Sequence, residues 1–225
     1  MKVHGHRGAR ARCPENTVQG FEYAIGIGVD AIELDVGLTR DGALVVIHDA
    51  HLPDGRLIRD LTREEVQDGT DVPTLDEVFA LSARGAFHFD VEMKSYSAQP
   101  SPAEYASLVL AVIRRHNLEA RVAVLSFDFR VLHAMQRVAP QIRLAALWEG
   151  EPRDFAATAR EAGAVIVSPE YRLVTPRQVT AAHNAGLSVV PWTANTTEAW
   201  AALIDAGVDG IITDDPAALF AYLDP

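Results

Sequence analysis

Apolar residues along this chain follow two rhythms. Short runs rich in Val and Ile alternate with longer stretches in which apolar positions recur every three or four residues. Nine runs read as strands: VHGH, AIELDVGL, LVVIH, FHFDVEM, RVAVLSF, RLAALW, AVIVS, SVVPW and GIIT. Helical patterns lie between most of them, which predicts βα units and a parallel sheet. Helix starts are well marked. Ser101-Pro102-Ala103-Glu104 offers an N-cap, a first-turn proline and a capping-box glutamate. Thr62 to Glu65 and Thr74 to Glu77 are further capping boxes, and Asp215-Pro216 opens the last helix. Gly186 and Gly207 are stops, each followed by a strand.

Nine strands are one too many for an eight-fold barrel. The run LVVIH follows AIELDVGL across Thr39-Arg40-Asp41-Gly42, and Asp-Gly between two alternating runs predicts a hairpin. The expected fold is therefore α/β, a (β/α)₈ TIM barrel made slightly irregular by an extra antiparallel hairpin strand around residues 44–48. One domain would span residues 1–225, with a short insertion at 49–73 after the return strand. A doubly wound open sheet is the structural alternative, but no Gly-rich phosphate turn follows the first strand. Gly26-Ile-Gly28-Val-Asp-Ala31 has the spacing of a dinucleotide turn, yet it closes a helix and precedes a strand, the reverse of the order such a turn requires.

Charge then narrows the function classes. The 225 residues carry 20 Lys+Arg against 31 Asp+Glu, a formal net charge of -11. A basic surface is what sequence-independent nucleic-acid binding needs, so nucleic acid is excluded as a partner, and docking on anionic lipid with it. The single cysteine, Cys13, cannot form an internal disulfide. With no apolar leader in MKVHGHRG and no run near the ~20 residues of a membrane span, the expectation is a cytoplasmic protein without stable membrane insertion. Oligomeric state is open.

Alternation within strands locates the chemistry. In residues 87–94 one row is Phe87, Phe89, Val91 and Met93; the other is His88, Asp90, Glu92 and Lys94. In residues 32–38, Glu33 and Asp35 oppose Ile32, Leu34, Val36 and Leu38. A parallel barrel buries both faces, so such carboxylates are costly unless paired or metal-bound. A hairpin turning at residues 40–42 is expected to set Glu33 opposite His48 and Asp35 opposite Val46. His6 ends the first strand, so His6, Arg7, Glu33, Asp35, His48 and Glu92 should meet at the C-terminal rim, where barrel active sites lie. Three carboxylates without a thiolate form a hard oxygen set suited to Mg²⁺ or Ca²⁺. The histidines suit general acid and base roles, Arg7 a bidentate grip on phosphoryl oxygen, and Lys94 a point charge.

These residues carry a resemblance. His6-Arg7-Gly8, Pro14-Glu15-Asn16-Thr17, Glu33-Leu-Asp35-Val36, His48-Asp49, Glu92-Met-Lys94, Ser126-Phe127, PWTAN (Pro191 to Asn195) and the ending GVDGIITDDP resemble, in order and spacing, the glycerophosphodiester phosphodiesterase family. The likeness covers essentially the whole chain. It implies metal-dependent hydrolysis of small glycerophosphodiesters to glycerol 3-phosphate and an alcohol, using a divalent cation. By motif it implies His6 and His48 as the acid/base pair, Glu33, Asp35 and Glu92 as metal ligands, Arg7 and Lys94 on phosphate, and Trp192 against the apolar part of the substrate. Gly37 departs from the longer polar residue usual at its position, and the insertion is short. The nucleophile is left open between water and a neighbouring glycerol hydroxyl.

Other polar residues have simpler readings. His4 is a packed, hydrogen-bonded core histidine, and His88 and Asp90 satisfy each other. Asn16 is expected to N-cap the first helix, with Glu15 orienting Arg7. Arg10 and Arg12 are read as solvated loop charges. A barrel lipase would show an apolar rim that GRLIRDLTREEVQDG lacks, and a silent binding barrel would show substitutions at the rim positions.

Overall fold

Strands form where the apolar runs lie, and helices follow where the apolar spacing lengthens. The computed structural model describes residues 1–95 and 100–224. The chain runs β1 (Lys2–Gly5), α1 (Val18–Gly26), β2 (Ala31–Leu38), β3 (Leu44–Val46), α2 (Arg63–Gln67), α3 (Leu75–Ala80), β4 (His88–Met93) and α4 (Pro102–Arg115). It continues β5 (Val122–Ser126), α5 (Phe129–Val138), β6 (Arg143–Trp148), α6 (Phe155–Ala162), β7 (Ile166–Pro169), α7 (Pro176–Asn184), β8 (Ser188–Val189), α8 (Thr197–Ala206), β9 (Gly210–Thr213) and α9 (Pro216–Leu223). The expected caps are present. Thr62 and Thr74 each complete a reciprocal capping box with Glu65 and Glu77, and Ser101 and Asp215 cap α4 and α9.

The strands pair in the order β8-β7-β6-β5-β4-β2-β1-β9, each neighbour parallel, with β3 antiparallel on β2. The remaining seam lies between β8 and β9. Pro191 has no N–H to donate there, so a regular ladder cannot form. Backbone bonds still cross the seam: Asp209 N–H to Val189 O (2.9 Å), Ile212 N–H to Pro191 O (3.0 Å) and Ala194 N–H to Ile212 O (3.1 Å). The result is a nearly closed (β/α)₈ barrel. The outer faces of the strands pack under the helices in one large core, with Phe89, Val91, Ile32 and Leu34 all buried. Inside, Ala123, Leu125, Ala145 and Leu147 from β5 and β6 form a small apolar cluster. On the β2–β4 side the interior row is ionic instead, and every residue of β2 is buried.

The hairpin exists, but its register differs from expectation. Val36 pairs with Val46, Gly37 with Val45 and Leu38 with Leu44. Thr39 N–H bonds to Ala43 O, leaving residues 40–42 as the loop, with Gly42 at φ +81 closing it. In that register Asp35 faces Ile47, not Val46, and a straight continuation would turn His48 away from Glu33. The ladder stops at Val46, however, and the chain bends from residue 48 onward. Departure from the strand, rather than register along it, places His48. The following segment packs its own small core of Leu52, Ile58, Leu61 and Val66 against Val45. Among the described residues no helix is long and apolar enough to cross a membrane.

Candidate active site

The site begins at a tight turn. A Cβ on Gly5 would overlap Gly8 O, so β1 can turn there only without a side chain. Gly8 has φ +90 and sits 2.9 Å, at its Cβ position, from the Gly20 carbonyl carbon of α1. Between them Arg7 adopts φ +49, uncommon for a residue with a Cβ. The surroundings hold it there. Its N–H donates to Glu33 Oε2 (2.9 Å) and its carbonyl accepts from Asn16 N–H (3.0 Å). Its Nη1 donates to Glu15 Oε1 at 2.9 Å, while its Nε lies 3.2 Å from Asp35 Oδ2 without hydrogen-bond geometry. Strain kept in place by this many contacts marks a positioned side chain.

Strand register brings the carboxylates together. Glu33 pairs with Asp90 and Asp35 with Glu92 across β2 and β4, so Asp35 and Glu92 are direct neighbours. One oxygen from each of Glu33, Asp35 and Glu92 can be chosen so that all lie within 4.8 Å of one another, and all three residues are buried. Lys94, just past β4, bridges Asp35 Oδ1 (2.9 Å) and Glu92 Oε1 (2.7 Å).

The proton affinities follow from this packing. Burial, then the charges of Asp35 and Glu92, pushes Glu33 well above the usual carboxylate range. Burial and Asp35 push Glu92 to about 7. Burial also acts upward on Asp35, but Lys94, Arg7 and the hydrogen bond from Asn16 together outweigh it and hold Asp35 low. Three buried carboxylates thus face two cations, Arg7 and Lys94. The uncompensated charge must be removed by a proton or matched by a further cation. All-oxygen donors at this spacing fit a hard divalent ion.

His6 follows β1, its N–H still bonded to Thr213 O of β9 at 2.9 Å. Its Nδ1 pairs with Asp214 at 2.5 Å, and its Nε2 lies 3.9 Å from Glu33 Oε2. Burial lowers its proton affinity more than the Asp214 hydrogen bond raises it. Asp214 is in turn held by Asn195, whose Nδ2 donates to Oδ2 (2.8 Å) and whose Oδ1 accepts the Asp214 N–H (2.9 Å). This orienting carboxylate was not among the residues expected from sequence. Its signal was present: Asp214 directly follows the last strand, the neighbour of β1 in a closed barrel. His48 Nδ1 meets Asp49 Oδ1 at 2.8 Å.

His6, Arg7, Glu33, His48, Glu92, Lys94 and Trp192 all line one cavity of about 420 Å³ at the C-terminal ends of the strands. Asp35 lies beneath it, against Arg7 and Lys94. Trp192 is fixed by its Nε1 donating to Ser168 O (2.8 Å) and meets Phe127 edge-on at 5.5 Å.

Three expectations are corrected. Asn16 does not cap α1. Thr17 does, accepting from Gly20 N–H, while Asn16, buried at φ +55, donates Nδ2 to Asp35 Oδ2 (2.8 Å) and accepts the Asp35 N–H at Oδ1 (3.3 Å). A buried carboxylate offers a better partner than a helix end that Thr17 already satisfies. His88 and Asp90 do not pair: Asp90 meets His4 Nδ1 at 2.5 Å, and His88 Nδ1 accepts from Arg143 at 3.1 Å. Arg10 and Arg12 are not simply solvated. Arg12 pairs with Asp215 (2.7 Å), and Arg10 pairs with Glu15 (3.2 Å) and lines the cavity.

The chain matches known proteins along almost its whole length. A model of the glycerophosphoryl diester phosphodiesterase family matches residues 6–218. A glycerophosphodiester phosphodiesterase of Caldanaerobacter subterraneus is 35% identical, over 96% of this chain and 95% of that protein. A solved structure from Silicibacter pomeroyi superposes with a TM-score of 0.93 at 30% identity, covering 100% of this chain and 93% of that one. A phosphodiesterase from Oleispira antarctica, solved in complex with the product sn-glycerol-3-phosphate, superposes at 0.89 and covers 100% of this chain and 97% of that one; at 22% identity it speaks for the fold alone. The chain belongs to the glycerophosphoryl diester phosphodiesterase family. It is an enzyme of that family, a phosphoric diester hydrolase.

Proposed function

We propose that the chain hydrolyses small glycerophosphodiesters to glycerol 3-phosphate and an alcohol, with His6 and His48 moving the protons and Glu33, Asp35 and Glu92 holding a divalent cation. The observation that carries this reading is the convergence of both histidines, Arg7, Glu33 and Glu92 on one cavity of about 420 Å³, a size suited to a small ligand, with Asp35 beneath it against Arg7 and Lys94. Arg7, fixed by Glu15 and the turn around it, presents a planar fork to phosphoryl oxygens, and Lys94 adds a compact charge. Asp214 on Nδ1 of His6 fixes the ring orientation, so proton transfer falls to Nε2, the nitrogen nearer Glu33. Asn16 and Lys94 keep Asp35 ionised and oriented as a ligand. When bound, Mg²⁺ or Ca²⁺ would supply the missing positive charge and polarise the phosphoryl group. Trp192 and Phe127 offer an apolar wall to the rest of the substrate.

The test is release of glycerol 3-phosphate from glycerophosphocholine, measured with and without chelator for the wild type and His6→Ala. Activity should vanish with chelator, return with Mg²⁺ or Ca²⁺, and fall by about 10²-fold or more in His6→Ala. Chelator-insensitive turnover, or His6→Ala at full rate, would overturn the assignment.

A further inference from the structure

The loop between β1 and α1 carries a second guanidinium to the catalytic cavity. Its backbone is pinned on both sides of Arg10. Ala9 is buried, Ala11 N–H donates to Asp214 O (3.0 Å), and Arg12 pairs with Asp215 at 2.7 Å. Arg10 is thereby held at the cavity, which it lines, while its side chain stays 37% exposed and free to turn toward a ligand.

The carboxylates beside Arg10 are already committed to other groups. Its Nη2 lies 3.2 Å from Glu15 Oε2, but the other oxygen of that carboxylate accepts from Arg7 Nη1 at 2.9 Å. Its Nε lies 3.9 Å from Asp214 Oδ1, too far for a hydrogen bond. That oxygen meets His6 Nδ1 at 2.5 Å, and Asp214 Oδ2 accepts from Asn195 at 2.8 Å. Two guanidinium groups thus share one carboxylate. An exposed ion pair such as Arg10 with Glu15 holds its arginine weakly. A phosphate arriving beside Arg7 can draw Arg10 away without stranding Glu15, because Arg7 keeps that carboxylate paired.

Charge separates the two ends of the reaction. A phosphodiester is a monoanion with two free oxygens, which the Arg7 fork and a bound cation suffice to occupy. The phosphomonoester left by hydrolysis has a third free oxygen. Its second pKa is about 6, so it approaches a dianion at neutral pH.

We propose that Arg10 is a further phosphate-binding residue that reads this added charge, strengthening the hold on the product, glycerol 3-phosphate, more than the hold on the diester. The inference rests on the phosphodiesterase reading above and adds to it a determinant of product retention. The competing account is a positioning role, in which Arg10 steadies Glu15 and through it Arg7. That role would weaken both ligands alike.

The experiment sets calorimetric titration of glycerol 3-phosphate, with Mg²⁺ present, beside KM for glycerophosphocholine in the wild type, Arg10→Gln and Arg10→Lys. Arg10→Gln should weaken glycerol 3-phosphate by about tenfold and raise KM by no more than about threefold. Arg10→Lys keeps the charge without the planar fork and should fall between the other two. Equal losses for both ligands, an unchanged affinity for glycerol 3-phosphate, or Arg10→Lys no better than Arg10→Gln overturns the assignment. Absence of hydrolysis by the wild type would instead remove the enzyme reading, and calorimetry alone would still decide whether Arg10 binds the dianion.

Discussion

The carboxylate of Asp214 holds Nδ1 of His6 at 2.5 Å. It touches no reacting atom in the proposed chemistry, so it is a positioning residue. Asp214→Asn should lower kcat by about 10²-fold while changing KM little. The pH profile separates positioning from mere structural support. Burial lowers the His6 proton affinity and the Asp214 hydrogen bond and charge partly restore it, so the substitution lowers it further. The limb of the pH–rate profile that reports His6 should move to lower pH, acidic limb if His6 acts as base and alkaline limb if it acts as acid. An unmoved profile with unchanged kcat would contradict the assignment. The place of His6 at the end of β1 was readable from sequence, whereas its pairing with Asp214, 208 positions away, was not drawn from the strand order that brings the two together. Asn16 is the same lesson in reverse. Helix-start chemistry is local and favoured a cap, whereas a buried carboxylate at Asp35 claimed the side chain.

Turns around the site differ in what they demand of glycine. Gly8 and Gly42 both have positive φ, +90 and +81, so alanine is strained at each. A Cβ at Gly42 meets nothing within 4 Å, whereas at Gly8 it meets the backbone of Gly20 at 2.9 Å. Gly42→Ala should cost about 1 kcal/mol in chemical denaturation and leave kcat unaltered. Gly8→Ala must also displace α1 or the turn that carries His6 and Arg7, so it should cost at least about 2 kcal/mol and most of the activity. Equal effects of the two substitutions would mean that close packing at Gly8 is unimportant. The hairpin shows the limit of pattern reading for such elements. Asp-Gly announced the turn correctly, but strand parity was carried past the point where the ladder ends at Val46. His48 reaches the mouth by leaving the sheet, a bend that alternation does not encode.

Across the barrel, the ionic sector of the interior ties stability to pH and to cation. In the metal-free protein, burial and neighbouring carboxylates raise Glu33 well above its ordinary value and Glu92 to about 7. A raised carboxyl stabilises the fold below its unfolded value of ~4.3, and that contribution is lost as pH climbs through the folded value. The Tm of chelated protein should therefore fall as pH rises from about 5 to 8 through these groups. The rise in Tm on adding Mg²⁺ or Ca²⁺ should grow over the same interval, since the ligands must lose their protons to bind. Differential scanning fluorimetry in matched buffers checks both slopes. A cation effect independent of pH, or absent in the wild type but present after Glu92→Gln, would speak against Glu33, Asp35 and Glu92 as the ligand set.

Much of this protein was legible in one dimension because the signals are periodic or local. The alternation of short strands and helices, Asp-Gly at the hairpin, the Thr62 and Thr74 caps, and carboxylates on otherwise apolar strands each arise within a few residues. Strand parity alone put Glu33 with Asp35 on one face of β2, and Glu92 with Lys94 on one face of the β4 run. What required the folded chain was the choice of individual side-chain partners between distant segments. These include the pairing of Asp214 with His6, the claim of Asp35 on Asn16, and the pairing of His4 rather than His88 with Asp90. Local sequence sets backbone preference and burial, but the partner of a charged side chain is chosen by competition among all groups within reach, and the fold decides which groups those are.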